Sequence, residues 1–111
     1  GAAAAPPSRV LVLRNTCTRQ ELTNDQDFAE ISEEMQNECA RFGAVLRCDI
    51  PRPAAAGGGA DPAGVGRIFV EYGDTAHAVA AAQALGGRKF AGRTVEATFL
   101  PEAKWAARDF S

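Results

Sequence analysis

Residues 65–72 read Val65-Gly66-Arg67-Ile68-Phe69-Val70-Glu71-Tyr72. The β-branched and aromatic side chains of this stretch predict a strand. Three other runs predict strands as well, at residues 10–13, 45–50 and 94–99. The second of these runs is stopped by Pro51-Arg52-Pro53. The sequence therefore predicts four strands, two before residue 54 and two after residue 65.

Two segments between these strands have helical spacing. The first carries apolar side chains on one face, namely Phe28, Ile31, Met35, Cys39 and Phe42. With Thr23 and Gln26 at capping-box spacing and Gly43 as a stop, it predicts a helix over 24–42. The second segment begins at Asp74 or Thr75 and ends at Gly86-Gly87. One face of this predicted helix carries Ala78, Ala81, Ala82 and Leu85.

The order of elements is βαββαβ, with a short helix around 102–108 after Pro101. This order predicts an α+β, ferredoxin-like sandwich in which two helices cover one face of a four-stranded antiparallel sheet. We expect one domain over 8–111, a disordered tail at 1–7, and a flexible Ala/Gly-rich loop at 54–65.

Length and composition limit the possible functions. The chain has 111 residues, of which 46% are hydrophobic and 23% are charged, so one core is expected and a two-domain enzyme is excluded. No apolar run is long enough to predict a membrane span. A formal net charge of -2 disfavours a surface that holds phosphates chiefly by charge.

Acidic residues are concentrated at 21–38, where no Lys or Arg occurs. Half of all the Asp and Glu residues lie in this segment: Glu21, Asp25, Asp27, Glu30, Glu33, Glu34 and Glu38. Such a cluster predicts either a patch for a basic partner or simply a solvated helix face.

Residues suited to catalysis or metal binding are sparse. Cys17, Cys39 and Cys48 are odd in number and form no C-x-x-C pair, which predicts neither a disulfide framework nor a zinc site. His77 is the single histidine, and the sequence predicts no catalytic dyad. The sequence predicts a protein without enzymatic activity, catalytic residues, metal or cofactor, in a reducing compartment.

The candidate site combines a carboxylate ladder with a glycine-flanked loop. Glu30, Glu34 and Glu38 are spaced four residues apart, beside the apolar stripe that contains Met35. Their mutual repulsion costs a few tenths of a kcal/mol per pair. The loop after the second predicted helix presents Arg88-Lys89-Phe90 next to the helical layer.

The strand at 65–72 resembles a strand of the RNA recognition motif, whose open sheet face carries stacking aromatic residues. Phe69 keeps one such position, but Arg67 and Val12 stand where further aromatic residues are expected. Val12, Arg67 and Phe69 are thus the possible RNA-facing residues, on a largely incomplete stacking surface.

These departures resemble the U2 auxiliary factor homology motif, a variant RNA recognition motif. The resemblance rests on Arg88-Lys89-Phe90, the acidic first helix and the degenerate strands. It also rests on Glu38-Cys39, Ile50-Pro51-Arg52-Pro53, Gly87-Arg88-Lys89-Phe90-Ala91 and Arg108-Asp109-Phe110.

The resemblance implies a nuclear splicing module that binds a tryptophan-containing, basic-flanked peptide. The tryptophan would lie against Phe90 between the helices, with Arg88 paired to Glu38, and Glu30 and Glu34 would receive the basic residues. Met35 and Lys89 complete the implied peptide-binding set. The implied partners are the branch-point-binding splicing factor and the large scaffold subunit of splicing factor 3b, with RNA bound by other domains of the parent protein.

Two other functions stay open from the residues. One is weak RNA binding by the sheet face, through Phe69, Tyr72, Arg67 and the Arg93 side. The other is a purely structural, homotypic domain. Against RNA binding, the terminal helix, with Lys104, Trp105 and Arg108, could simply cover the sheet face and block RNA.

Overall fold

The computed structural model describes residues 6–54, 58–90 and 92–110. Parts of the predicted tail and loop, together with Ala91 and Ser111, lie outside these ranges. The strands are β1 Val10–Arg14, β2 Val45–Asp49, β3 Arg67–Tyr72, β4 Lys89–Phe90, β5 Arg93–Thr94 and β6 Glu96–Leu100. The helices are α1 Arg19–Thr23, α2 Asp25–Cys39, α3 Thr75–Leu85 and α4 Glu102–Ala106, with a 3-10 turn at Ala40–Phe42.

Four strands form one antiparallel sheet in the order β2-β3-β1-β6, which confirms the predicted ferredoxin-like plan. Leu11 and Leu13 of β1 face α2 and α3, together with Ile68 and Val70 of β3. Side chains alternate along a strand, so their neighbours Val10, Val12 and Phe69 lie on the opposite face. None of the described helices has the length and apolar character that a bilayer crossing would require.

The predicted helix over 24–42 ends as expected, since a 3-10 turn continues α2 to Phe42 and Gly43 follows, but its predicted beginning is wrong. Thr18 and Glu21 form a capping box that begins the additional helix α1. Asn24 has an extended backbone, which separates α1 from α2, and its side chain accepts a hydrogen bond from the Asp27 amide at 2.9 Å. Asn24, and not Thr23, is therefore the cap of α2. For α3, Asp74 is the correct choice of the two predicted caps.

The predicted strand over 94–99 is divided in the structure. Thr94 belongs to β5, which pairs with β4 in a small second sheet, whereas β6 begins at Glu96. Val95 lies between them, and its amide donates to the Arg88 carbonyl at 2.8 Å. The segment that carries Arg88, Lys89 and Phe90 is consequently a hydrogen-bonded hairpin and not an irregular loop.

The face of the sheet away from α2 and α3 is covered by the C-terminal segment. Phe110 stacks on Phe69 with ring centroids 4.5 Å apart, and Trp105 lies 6.3 Å from Phe69. Arg67 donates a hydrogen bond to the Phe110 carbonyl. Val12 and Phe69, which the sequence offered as possible RNA-facing residues, are both buried in the structure. The terminal helix covers the sheet, as the alternative prediction held.

We expect Trp105→Ala to lower the free energy of unfolding by about 3 kcal/mol, because it removes a large ring that is only 6% exposed. Urea denaturation followed by circular dichroism measures this change. Leu46→Ala is the control, since Leu46 is 58% exposed and should cost less than about 0.5 kcal/mol. Equal stability of Trp105→Ala and the parent chain would contradict the covered face.

Candidate functional site

An apolar groove opens on the helical side of the molecule, where α2, α3, the end of β1 and the β4–β5 hairpin meet. Its volume is about 470 Å³, including the mouth that is open to solvent. The apolar lining residues are Leu13, Met35, Leu85, Phe90 and Val95. A concave, largely apolar lining with a few polar groups at its edge is typical of sites that hold a ligand or a large side chain.

The β4–β5 hairpin fixes the position of Phe90 in the wall of the groove. Lys89 pairs with Thr94 across the hairpin, and the Lys89 Nζ donates to the Thr94 Oγ1 at 2.7 Å. The Arg93 guanidinium donates to the Thr16 carbonyl at 3.0 Å and to Glu21 at 3.3 Å. Arg93 therefore ties the hairpin both to the segment after β1 and to α1.

Glu38 is held at the rim of the groove by two arginines. Arg88 Nη1 donates to Glu38 Oε1 at 3.0 Å, and Arg41 Nη1 donates to the same oxygen at 2.8 Å. The hydrogen bond from Arg88, reinforced by Arg41, lowers the pKa of the Glu38 carboxyl below its ordinary value. Glu38 is thus ionised, paired and fixed in position at neutral pH.

The rim on the other side of Phe90 is acidic. An adjoining recess shares Glu34, Lys89 and Phe90 with the groove, and its other lining residues are Glu21, Asp27, Glu30 and Ile31. Within the described part of the chain, the ion pairs of α2 are those of Asp25 and Glu38. The exposed carboxylates of Glu30, Glu33 and Glu34 therefore have no basic partner within 4.0 Å there.

The structure brings the sequence-predicted peptide-binding residues together. Glu34, Met35, Glu38, Arg88, Lys89 and Phe90 line the groove, and Glu30 lines the adjoining recess. Met35 is almost fully buried, so it belongs to the core first and to the groove second.

The predicted set of site residues lacked the other lining residues of the two recesses: Leu13, Thr16, Leu85, Val95, Glu21, Asp27 and Ile31. The spacing of Thr18 and Glu21 was a signal for α1, and hence for the position of Glu21.

The described residues offer little for catalysis. No group of three or more His, Cys, Asp or Glu side chains among them is arranged to hold a metal ion. Burial raises the pKa of the Cys39 thiol to about 11 and that of Cys48 to about 12, so both are protonated and unreactive at neutral pH. An apolar groove with a charged rim is suited to binding a side chain.

The chain is similar to plant splicing factors. It is 41% identical over 103 residues to a splicing factor U2af large subunit of Nicotiana plumbaginifolia, covering 93% of this chain and 18% of the relative. It is 38% identical over 107 residues to a U2af large subunit of Triticum aestivum, covering 96% and 19%. No protein-family model matches the chain.

A solved structure described as "Structure of Rna15 RRM with bound RNA (GU)" shares the fold, with a TM-score of 0.60 and 18% identity. It covers 92% of this chain and 96% of its own. The chain is a U2af-like domain with the fold of an RNA recognition motif. The U2af-like domain spans less than a fifth of the length of the large subunits it matches.

The relatives confirm the resemblance to the U2 auxiliary factor that the motifs indicated. They also confirm that the U2af-like domain is not an enzyme, because its relatives are splicing factors. Both relatives are named as splicing factors, and this chain matches one segment of each.

We expect Arg88→Gln to raise the pKa of Glu38 part of the way toward the usual glutamate value of about 4.3, since Arg41 remains as a partner. A lowered pKa in the folded state gives stability above the unfolded-state pKa, and this stability is lost as the pH falls through the folded-state value. NMR titration of the carboxyl carbons measures the shift. Lys89→Gln is the control and should leave Glu38 unchanged. An unaltered Glu38 titration in Arg88→Gln would contradict the geometry.

Proposed function

We propose that this U2af-like domain binds a short segment of another splicing factor in which a tryptophan lies next to Lys or Arg. The observation that carries the proposal is the apolar groove beside Phe90, bounded by the Arg88–Glu38 ion pair and continuous with an acidic recess. Each of these features matches one part of such a peptide.

The groove suits an aromatic anchor. Met35, Leu85 and Phe90 provide apolar walls from three different elements, and the half-buried ring of Phe90 is available for contact with a second ring. Arg88 lies at the rim, where its guanidinium can contact an indole face for roughly 1 kcal/mol. Truncation of such a buried aromatic anchor typically costs about 2 to 4 kcal/mol of binding free energy.

The acidic rim suits the basic flank of the peptide. Glu30 and Glu34 are exposed and have no basic partner among the described residues, so a ligand cation would meet carboxylates that need not first break another ion pair. Such complementarity mainly increases the association rate and orients the ligand. Salt should weaken it, because the charges are solvent-exposed.

The covered sheet argues against the alternative of RNA binding on that face. An RNA base would have to displace Phe110 and Trp105 before it reached Phe69. We therefore assign RNA contacts to other domains of the parent protein. The branch-point-binding splicing factor and the large scaffold subunit of splicing factor 3b are the proposed peptide donors, and the nucleus is the proposed location.

We expect the domain to bind a Lys/Arg-rich peptide that carries one tryptophan, and to lose that binding when the tryptophan becomes alanine. Phe90→Ala should weaken binding at least 30-fold, corresponding to about 2 kcal/mol. Isothermal titration calorimetry measures both. Leu46→Ala is a control, since Leu46 is a large exposed side chain that does not line the groove. Equal affinity for the two peptides would reject the proposal.

Reversing a charge on the exposed acidic rim tests the proposal without altering a side chain of the hydrophobic core. We expect Glu34→Lys to lower the association rate about tenfold at low salt, and the difference should shrink as salt is added. Glu96→Lys makes the same change in net charge at an exposed position on β6, outside the groove. Stopped-flow mixing with the tryptophan peptide measures both rates. Equal slowing by the two variants would show that only net charge matters.

A further inference from the structure

Arg93 lines neither the groove nor the adjoining acidic recess, but it contacts one lining residue of each. Its Nη2 donates to the Thr16 carbonyl and to the Glu21 carboxylate. Thr16 lines the groove, and Glu21 lines the acidic recess. The Arg93 guanidinium therefore connects the walls of both recesses to strand β5.

The hairpin that carries Phe90 is too small to hold itself in place. Strands β4 and β5 contribute two residues each, and Phe90 lies directly opposite Arg93 in their register. An isolated two-stranded hairpin is at best marginally stable in water. The position of the Phe90 ring therefore depends on contacts between the hairpin and the rest of the domain.

The Arg93 side chain is partly buried, which makes it suited to provide such a contact. It is 27% exposed, and its Nε is shielded from solvent without a hydrogen-bond partner among the described residues. Arg41, which pairs with Glu38 at the rim, is 65% exposed. Hydrogen bonds that are shielded from water are weakened less than those of an open surface ion pair. Arg93 is thus a firmer connection than the arginine at the rim.

We infer that Arg93 is a positioning residue of the peptide-binding site. Its contacts with Thr16 and Glu21 hold the hairpin so that the Phe90 ring is already placed to receive the tryptophan. This inference rests on the proposed function and adds a determinant of affinity that does not touch the peptide. A wall that is fixed in the free protein does not have to be ordered on binding, and this raises affinity.

The first experiment removes the guanidinium and keeps a long, unbranched side chain. We expect Arg93→Met to bind the Lys/Arg-rich tryptophan peptide about tenfold more weakly than the parent chain, because the hairpin must then be ordered on binding. Loss of the charge alone would have the opposite effect, since it leaves the recess more negative toward a basic peptide. Calorimetry measures both affinities. Arg47→Met is the control, because it makes the same charge change on β2, outside both recesses, and should leave the affinity unchanged.

A double-variant cycle with Phe90→Ala distinguishes positioning of the ring from general destabilisation. If Arg93 acts through the Phe90 ring, Arg93→Met should weaken binding less than about twofold in the Phe90→Ala background. General destabilisation would weaken binding equally in both backgrounds, and that result would overturn the inference. Circular dichroism and thermal unfolding establish that each variant is folded.

Amide hydrogen exchange provides a readout that needs no peptide. The Val95 amide donates to the Arg88 carbonyl at the base of the hairpin, and the Tyr72 amide donates to the Arg9 carbonyl in the sheet. In Arg93→Met, we expect exchange about tenfold faster at Val95 and unchanged at Tyr72, because only the hairpin opens locally. Equal exchange at Val95 in the variant and the parent chain would contradict the positioning role.

The outcomes separate the two proposals. If Arg93→Met binds as tightly as the parent chain or more tightly, the inference is overturned and the proposed function stands. If the parent chain binds no tryptophan peptide, the proposed function fails, and the inference fails with it. Arg93→Lys decides if Arg93→Met does not fold. Lys keeps the charge without the guanidinium fork, so it should weaken binding about threefold, and unchanged affinity would overturn the inference.

Discussion

Strand β1 is apolar on both of its faces, and the rest of the structure depends on this constraint. Val10, Leu11, Val12 and Leu13 are each at most 2% exposed. Because consecutive side chains point to opposite faces, burial of all four requires cover on both sides of the sheet. Helices α2 and α3 cover one side, and Trp105 with Phe110 covers the other. Each such side chain contributes about 1.5 to 3 kcal/mol when it is fully buried.

Because both faces of the sheet are covered, the accessible groove lies in the helical layer and not on the sheet. There, side chains from β1, α2, α3 and the hairpin meet around a space that none of them fills. Arg93 on β5 connects the hairpin to the segment after β1 and to α1, through Thr16 and Glu21. The groove is therefore a consequence of the tertiary arrangement, and its shape depends on how firmly the short hairpin is held.

The sequence predicts elements well where local signals are unambiguous. The strand at 65–72 appears as Arg67–Tyr72, and Asp74 caps α3. The sequence did not predict α1. Two residue pairs have the same capping-box spacing, Thr18 with Glu21 and Thr23 with Gln26, and spacing alone does not choose between them. The helix that begins after Thr18 buries Leu22, and this burial depends on tertiary packing that the local sequence does not show. The same holds at Thr94, whose pairing with Lys89 depends on a hairpin of only two residues in each strand.

The charged part of the site and two of its apolar walls, Met35 and Phe90, were predicted from the sequence. The remaining apolar walls come from separate elements and were not predicted: Leu13, Leu85 and Val95. The three glutamates of the carboxylate ladder are equivalent in the sequence, but their ion pairs differ in the structure. Glu38 is relieved of repulsion by Arg41 and Arg88, but Glu30 and Glu34 stand four residues apart without such relief among the described residues. Like charges at this spacing destabilise a helix slightly. A basic ligand would remove this repulsion on binding, so part of its affinity would come from a cost already present in the free domain.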